Sequence, residues 1–218
     1  MVTIAQTYRD PLSGRLKVAM IPTVGPYVLP RVAPAVHRQM PRLDLLLFEY
    51  QTASILEKIH AGEIDVGVLA LPIEGEGLAS RNLYTEDFNV ALPANHRLAG
   101  QASVRIADLE DESLLLLEEG HCLRDQALEV CERISIHERQ DFRATSLETL
   151  RQMVATGAGL TLLPELASRG AYGNAKGVTI RPFAKPAPVR HVGAIWRKTS
   201  ARRPVIEAVS KLIASHAS

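Results

Sequence analysis

The chain has two cysteines, Cys122 and Cys131, and both lie in the short stretch GHCLRDQALEVC. Paired thiols can form a disulfide, bind a metal ion or pack as small apolar side chains. The chemistry of this stretch therefore depends on the local structure that holds the two sulfur atoms.

The composition of the stretch is typical of a helix, and a continuous helix would keep the two thiols apart. Nine residues advance about 13.5 Å along a helix axis and place the two side chains on opposite faces. A disulfide needs the two Cα atoms within roughly 7 Å. Helix and disulfide are therefore competing states, which is the logic of a two-state switch.

The two thiols differ in their predicted surroundings. Cys122 follows Gly120 and His121 at a predicted helix start, where the helix dipole favours a thiolate and Arg124 adds positive charge. The two glutamates before the glycine oppose this effect, so the sequence leaves its sign open. Cys131 lies among apolar residues. This asymmetry favours an attacking thiol at Cys122 and a resolving thiol at Cys131.

Two other interpretations of the cysteines stay open on spacing alone. Free cysteines in a cytosolic domain are commonly buried as small hydrophobic residues, and nothing in the spacing excludes that role. A zinc site would use His121, Cys122, Cys131 and His137, but this pattern matches no usual ligand spacing.

Composition limits the class of protein. The 218 residues include 25 Lys and Arg and 24 Asp and Glu, a net charge of +1, which does not favour binding of DNA by this chain itself. No apolar run approaches the roughly 18 residues that span a bilayer. Two cysteines do not make a disulfide framework. We therefore expect a soluble, cytoplasmic protein without a cofactor.

The order of predicted elements indicates an α/β fold. RLKVAMIP, LDLLLFEY and DVGVLAL predict strands, and VGPYVLPRVAPAVHRQMP and TASILEKIHAG predict the helices between them. A second cycle follows, with strands at FNVALP, SLLLLEE and LTLLP and helices at the cysteine segment and ATSLETLRQMVATGAG. The latter helix carries capping-box spacing at Thr145 and Glu148 and is predicted to end at Gly157 or Gly159. Alternation of strand and helix predicts parallel, covered sheets.

The same order predicts two subdomains with a cleft between them. HVGAIW and RPVIEAVSKLIASHA are predicted to return as a strand and a helix to the first half. Residues 1–14 are interpreted as the end of a linker, 15–86 with 192–218 as subdomain I, and 87–191 as subdomain II, which carries the cysteine segment.

Several segments resemble the LysR-type transcription regulators over about residues 12–218. They are IPTVGPYVLP, AGEIDVGVLAL and FRATSLETLRQMVATGAGLTLLP, and GHCLRDQALEVC resembles in particular the peroxide-sensing members of that family. The resemblance implies two Rossmann-like subdomains joined by crossover strands, the periplasmic-binding-protein-like fold of LysR-type effector domains. It also implies a preceding winged helix-turn-helix that this chain lacks.

The resemblance further implies a redox sensor and not an enzyme. Hydrogen peroxide would oxidise Cys122 to a sulfenic acid, which Cys131 would capture as a disulfide, with local refolding and a change of oligomer. The implied partners are a second copy of the domain, a tetramer in the full-length protein, and DNA through the missing N-terminal domain. RNA polymerase and a glutaredoxin or thioredoxin reductant complete the implied set, with no membrane.

The resemblance also implies a peroxide site at Thr23, Thr52, His121 and Arg197. The two threonines fall just after predicted strands, at the edge where open α/β sheets bind ligands. Ordinary helix capping is the alternative for the threonines, and a solvated charge is the alternative for Arg197. Asp141 stands where the family often has histidine, and a carboxylate cannot copy imidazole proton chemistry.

Two other functions compete with the sensor. One is a LysR-type domain that binds a small organic anion in the cleft and keeps its cysteines for structure. The other is a thiol peroxidase, which would consume many equivalents of peroxide with a reductant, whereas a sensor reacts about once and waits to be reduced.

Overall fold

Two units make up the chain. The computed structural model describes residues 10–73, 75–132, 134–170 and 175–217. Unit 1 combines the residues up to Thr85 with those from His191 onward, and unit 2 is Glu86–Arg190. The predicted linker at 1–14 lies largely outside the described residues, and the predicted bounds of subdomains I and II stay a prediction.

The predicted strand and helix alternation is confirmed in unit 1. Its elements are β1 (Gly14–Met20), α1 (Gly25–Gln39), β2 (Leu43–Glu49), α2 (Thr52–His60), β3 (Val66–Leu71), the start of β4 (Leu78–Pro93), most of β9 (Val189–Arg197) and α6 (Arg203–Ala217). The strands lie in the order β2, β1, β3, β9, with β1 parallel to both neighbours and β9 antiparallel to β3. The chain passes between the units in β4 and again in β9.

Helix α1 forms in spite of two internal prolines. Val28, Val32 and Val36 recur at every fourth position and are buried, whereas Pro30 and Pro34 are exposed. Proline removes a backbone N–H and distorts the helix interior, but here it does so on the side away from the core. Burial of the valine stripe therefore decides the structure of this segment.

The carboxyl ends of β1 and β2 lie at one edge of the sheet. Met20 pairs with Glu49 in the parallel register, and the N–H of Tyr50 donates to the carbonyl of Met20. Thr23 and Thr52 each follow three residues after these paired positions. The register thus places both predicted threonines at the same edge.

Unit 2 surrounds a strand of buried leucines. Its elements are the rest of β4, a 3₁₀ helix (Ile106–Leu109), β5 (Ser113–Leu117), α3 (Cys122–Cys131), β6 (His137–Ala144), α4 (Leu147–Ala155), β7 (Thr161–Pro164), α5 (Glu165–Ser168) and β8 (Val178–Pro182). Strand β5 runs parallel to β6, and β4 pairs antiparallel with both β7 and β8. Strands β6 and β8 were not predicted from the sequence.

The predicted capping box of α4 is wrong by one residue. Ser146, and not Thr145, is the N-cap, and its Oγ accepts a hydrogen bond of 3.2 Å from the N–H of Thr149. Both residues can cap a helix, but α4 begins at Leu147, which is buried. Among the described residues, no helix has both the length and the apolar character that a bilayer crossing requires.

Candidate functional site

The two cysteines are the first and last residues of α3. Both are free thiols; Cys122 is half-buried and Cys131 is only 2% exposed. Because α3 is continuous between them, the thiols are separated by about 13.5 Å along the helix axis. The predicted helix is confirmed, and in this state the two sulfurs cannot bond.

A narrow apolar stripe holds α3 in unit 2. Leu123, Ala127 and Cys131 recur at every fourth position and are the buried residues of the helix. A space of about 10 Å³ lies where the stripe meets Leu116 and Leu117 of β5, which is close to the smallest cavity that holds one water. Cys131 therefore serves as a core residue while the helix is intact.

Burial controls the chemistry of Cys131. Removal from solvent raises the pKa of its thiol to about 11, because a buried thiolate loses its hydration. At neutral pH the group is therefore a thiol, and a thiol is a poor nucleophile.

His121 lies directly before α3, at the N-cap position, but its side chain makes no capping hydrogen bond. The side chain is buried, with Nε2 3.8 Å from Oε1 of Glu118. Burial lowers the pKa of the imidazole, and the charge of Glu118 opposes this shift less strongly. The structure thus places a neutral imidazole, which has one donor and one acceptor nitrogen, next to Cys122.

An ion-pair cluster ties the first turn of α3 to β6. Arg124 Nη1 donates to Oε1 of Glu138 at 2.6 Å, and Arg143 forms a salt bridge with the same oxygen. The hydrogen bond from Arg124, with the charges of both arginines, holds the pKa of the Glu138 carboxyl below its usual value. We call these three residues the Arg124 clamp. Arg124 was predicted to add positive charge beside the Cys122 thiol. In the structure its guanidinium is paired with Glu138.

In unit 1, neither predicted threonine occupies an N-cap position. Val24 is the N-cap of α1 and Gln51 is the N-cap of α2. Thr23 is buried in the turn before α1. Thr52 opens α2, and its Oγ1 is buried without a hydrogen-bond partner among the described residues. A buried hydroxyl without a partner is costly, so Thr52 retains hydrogen-bonding capacity for a ligand.

Glu49, at the same edge, was missed by sequence reasoning. Its carboxylate lies close to Gly25 in the first turn of α1, where Oε2 would be 3.1 Å from an added Cβ. Partial burial raises the pKa of this carboxyl. The sequence signal that could have identified Glu49 as a site residue is its position at the end of a predicted strand.

Arg197 lies at the opposite end of α2 from Thr52. Its Nη1 donates a hydrogen bond of 2.8 Å to the carbonyl of Ile59, in the last turn of that helix. The nine residues of α2 extend over roughly 13 Å. Within unit 1 the structure therefore gives Arg197 a helix-capping contact and does not bring it to Thr52.

The remaining predicted positions lie on the surface of unit 2. Asp141 is exposed and forms a bidentate pair with Arg139, the residue two before it on β6. The proposed zinc ligands are not gathered: in the described parts of the chain, no group of three or more His, Cys, Asp or Glu side chains could hold a metal.

Comparisons with known proteins agree over nearly the whole chain. The family model "LysR substrate binding domain" matches residues 9–218. A "Hydrogen peroxide-inducible genes activator" of Pectobacterium carotovorum subsp. carotovorum is 40% identical over 213 residues, 98% of this chain and 70% of the relative. A "DNA-binding transcriptional dual regulator OxyR" of Escherichia coli is 41% identical over 210 residues, 96% of this chain and 68% of the relative.

Solved structures extend the likeness to the fold. A structure of the reduced form of OxyR is 40% identical, with a TM-score of 0.85 and coverage of 95% of this chain and 97% of the other. The oxidised form of OxyR gives 42% identity at the same TM-score and coverage. A cysteine mutant of Corynebacterium glutamicum OxyR, described as bound to hydrogen peroxide, gives 34% identity and a TM-score of 0.90 over 99% of this chain and 69% of the other.

Proposed function

This chain belongs to the LysR substrate-binding domain family, and from that premise we propose that it is the peroxide-sensing regulatory part of a LysR-type transcription regulator. The names of its relatives describe activators of hydrogen peroxide-inducible genes. Structures of a relative exist in both reduced and oxidised forms at about 40% identity. These relatives support a function in which the chain alternates between two redox states.

The position of both thiols at the ends of α3 is the observation that carries the proposal. A disulfide between them cannot form while the helix is intact, because the Cα atoms must approach within roughly 7 Å. Oxidation therefore selects a different local fold. A chemical signal at one sulfur becomes a structural change over the ten residues of α3.

The first chemical step is attack of the Cys122 thiolate on one oxygen of hydrogen peroxide. A sulfur–oxygen bond forms, the oxygen–oxygen bond breaks, and the leaving hydroxide takes up a proton to become water. Sulfur is oxidised and peroxide is reduced, so the product is a sulfenic acid at Cys122. The exposure of Cys122, unlike that of Cys131, gives peroxide access to its sulfur.

The second step is attack of the Cys131 thiolate on the sulfenic sulfur. The disulfide bond forms, the sulfur–oxygen bond breaks, and the departing hydroxide is protonated to water. Burial keeps Cys131 protonated in the intact helix, with its pKa raised to about 11. Unwinding of α3 would return this thiol to solvent and lower its pKa, so the same motion brings the sulfurs together and activates the second thiol.

We assign supporting roles to the groups that the resemblance singled out. The neutral imidazole of His121 is suited to hydrogen-bond peroxide and to deliver a proton to the leaving hydroxide. The Oγ1 of Thr52, which has no hydrogen-bond partner in the described part of the chain, and the hydroxyl of Thr23 at the same edge of unit 1 can orient a small polar ligand. Arg197 donates through Nη1 to the carbonyl of Ile59, and its contact with peroxide stays a prediction.

Transcriptional control would follow from the change at α3. The net charge of +1 does not favour binding of DNA by this chain itself, so we propose that DNA contact belongs to a segment outside this chain. Assembly as a homodimer of the domain, and as a tetramer in the full regulator, would carry the change to DNA and RNA polymerase. A glutaredoxin or thioredoxin would reset the switch by thiol–disulfide exchange.

The test is to add one equivalent of hydrogen peroxide to the reduced protein and follow its intact mass and peptide map over seconds. We expect the loss of two hydrogens and a crosslinked peptide that joins Cys122 to Cys131. Cys122→Ser should abolish both changes. Cys131→Ser should instead accumulate a sulfenic acid that dimedone traps, which assigns the attacking and the resolving roles separately.

Two results would reject the proposal. Thiols that stay unmodified would make the cysteines structural and favour binding of an organic anion. Continuous turnover of peroxide with a reductant, at a rate limited by chemistry, would indicate a thiol peroxidase.

A further inference from the structure

Unit 1 contains a cleft that takes no part in the thiol chemistry. Its volume is about 510 Å³, which lies in the range of small-molecule sites. The first residues of β4, the end of β9 and the first two turns of α6 form its walls. The lining includes Ser80, Arg81, Trp196, Lys198, Arg203 and Glu207.

The cleft carries a local excess of positive charge. Three cationic side chains face one carboxylate, which leaves two net positive charges. Arg203 is paired, since its Nε donates to Oε1 of Glu207 at 2.8 Å. Arg81 and Lys198 have no side-chain hydrogen bond or salt bridge to any described residue. Two cations in the lining are therefore available to a ligand.

The positive charge of the cleft affects the pKa of the Glu207 carboxyl. The hydrogen bond from Arg203 holds the pKa of the Glu207 carboxyl below its usual value, and the charge of Arg81 contributes to the shift. The one carboxylate in the lining is thus already stabilised by cations from two elements.

Trp196 provides an independent sign of a missing acceptor. The side chain is only 5% exposed, and its Nε1–H is buried without a hydrogen-bond partner among the described residues. Buried donors are nearly always satisfied, and an unsatisfied one is destabilising. Because Nε1 is covered, an acceptor reaches it only when a neighbouring side chain moves. Ligand binding would therefore change the surroundings of the indole.

We propose that this cleft binds a small organic polyanion, with clustered carboxylate or phosphoryl oxygens held by Arg81 and Lys198. One oxygen satisfies the indole N–H. The volume exceeds the need of a single inorganic ion, which favours an organic ligand of several anionic groups. This site is independent of peroxide and of both cysteines.

Trp196 is the single tryptophan of the chain, so its fluorescence reports on the cleft. The reduced protein is titrated with citrate and, separately, with inorganic pyrophosphate, at constant ionic strength set with sodium chloride. We expect a saturable change in emission. Tighter binding of citrate would indicate carboxylate ligands, and tighter binding of pyrophosphate would indicate phosphoryl ligands.

Arg81→Gln should weaken binding about tenfold, the size expected for loss of one charge-assisted contact. Arg15→Gln is the matched control, because Arg15 is an exposed arginine of the same unit that pairs with Asp44. Trp196→Phe, followed by calorimetry, should also bind more weakly, because it removes the donor. The proposal is overturned if neither anion saturates the signal, or if Arg81→Gln binds as tightly as the Arg15→Gln control.

Discussion

Helices α3 and α4 are neighbours in unit 2, yet they are held in different ways. Helix α4 begins with a Ser146 cap that accepts the N–H of Thr149, and Gly157 follows its end at a φ of 83°. Helix α3 begins after His121, which gives no side-chain cap.

This difference indicates that tertiary contacts, and not a side-chain cap, stabilise α3. Short helices are marginal in water, and tertiary contacts supply most of their stability. In α3 those contacts come from a stripe of three residues, one of which is Cys131, the proposed resolving thiol, together with the Arg124 clamp. A change at the thiol therefore acts on one of the few groups that hold the helix.

The largest expected effect is loss of α3 on oxidation. In the disulfide form, the backbone amides between Cys122 and Cys131 should lose their protection from hydrogen exchange by several orders of magnitude, because a ten-residue helix cannot persist with its ends bonded. The amides of α4 should keep theirs. Hydrogen exchange with mass spectrometry on both redox forms measures this. Protection of α3 that survives a verified disulfide would contradict the switch.

Truncation of buried leucines separates the two helices further. Leu123 of α3 and Leu147 of α4 are both nearly fully buried. Each change to alanine should reduce the free energy of unfolding by about 2–5 kcal/mol. Only Leu123→Ala should speed disulfide formation from the sulfenic acid, by at least about tenfold. This change destabilises the intact α3 helix, whereas Leu147→Ala acts on α4.

Urea unfolding measures the free energy of unfolding, and quenched-flow trapping measures the rate of disulfide formation. An equal acceleration in Leu147→Ala would mean that unit 2 must loosen as a whole before the thiols meet.

Sequence patterns were sufficient where one side of an element is buried. The valine stripe of α1 and the alternating Leu16, Val18 and Met20 of β1 are buried as their spacing predicts. Strand β6, HERQDFRA, was missed because most of its residues are exposed or half-buried and no regular alternation appears. Its place beside β5 depends on pairing with a strand that comes earlier in the chain.

For the candidate site, the sequence predicts candidate reactive groups but not the side chains and carbonyls that their neighbours contact. Cys122, Cys131 and His121 follow from one motif on one helix. The engagement of Arg197 with the carbonyl of Ile59, 138 residues away in sequence, depends on tertiary packing that no local pattern encodes. The same holds for Arg124, whose charge is directed to Glu138 on β6.

A smaller effect is expected from the Arg124 clamp. Glu138→Gln removes the carboxylate charge that pairs with both Arg124 and Arg143, which should destabilise the intact α3 helix by about 1 kcal/mol. Disulfide formation should then accelerate about fivefold. Asp141→Asn is the matched control, since Asp141 pairs with Arg139 on the same strand. The clamp has no role in the switch if both variants oxidise at the same rate.

The smallest expected effect is a pH dependence that arises at His121. Burial lowers the pKa of this imidazole in the folded state, so below about pH 6.5 the unfolded chain binds a proton that the folded chain does not. The resulting stability is present above that pH and is lost as the pH falls through the folded pKa. His121→Gln should flatten the decline below about pH 6.5 in urea unfolding, and His137→Gln, a change at an exposed histidine of the same unit, is the matched control. If the free energy of unfolding declines identically in both variants, the titrating group lies elsewhere. Burial of the His121 imidazole beside Cys122 would then carry no measurable free-energy penalty.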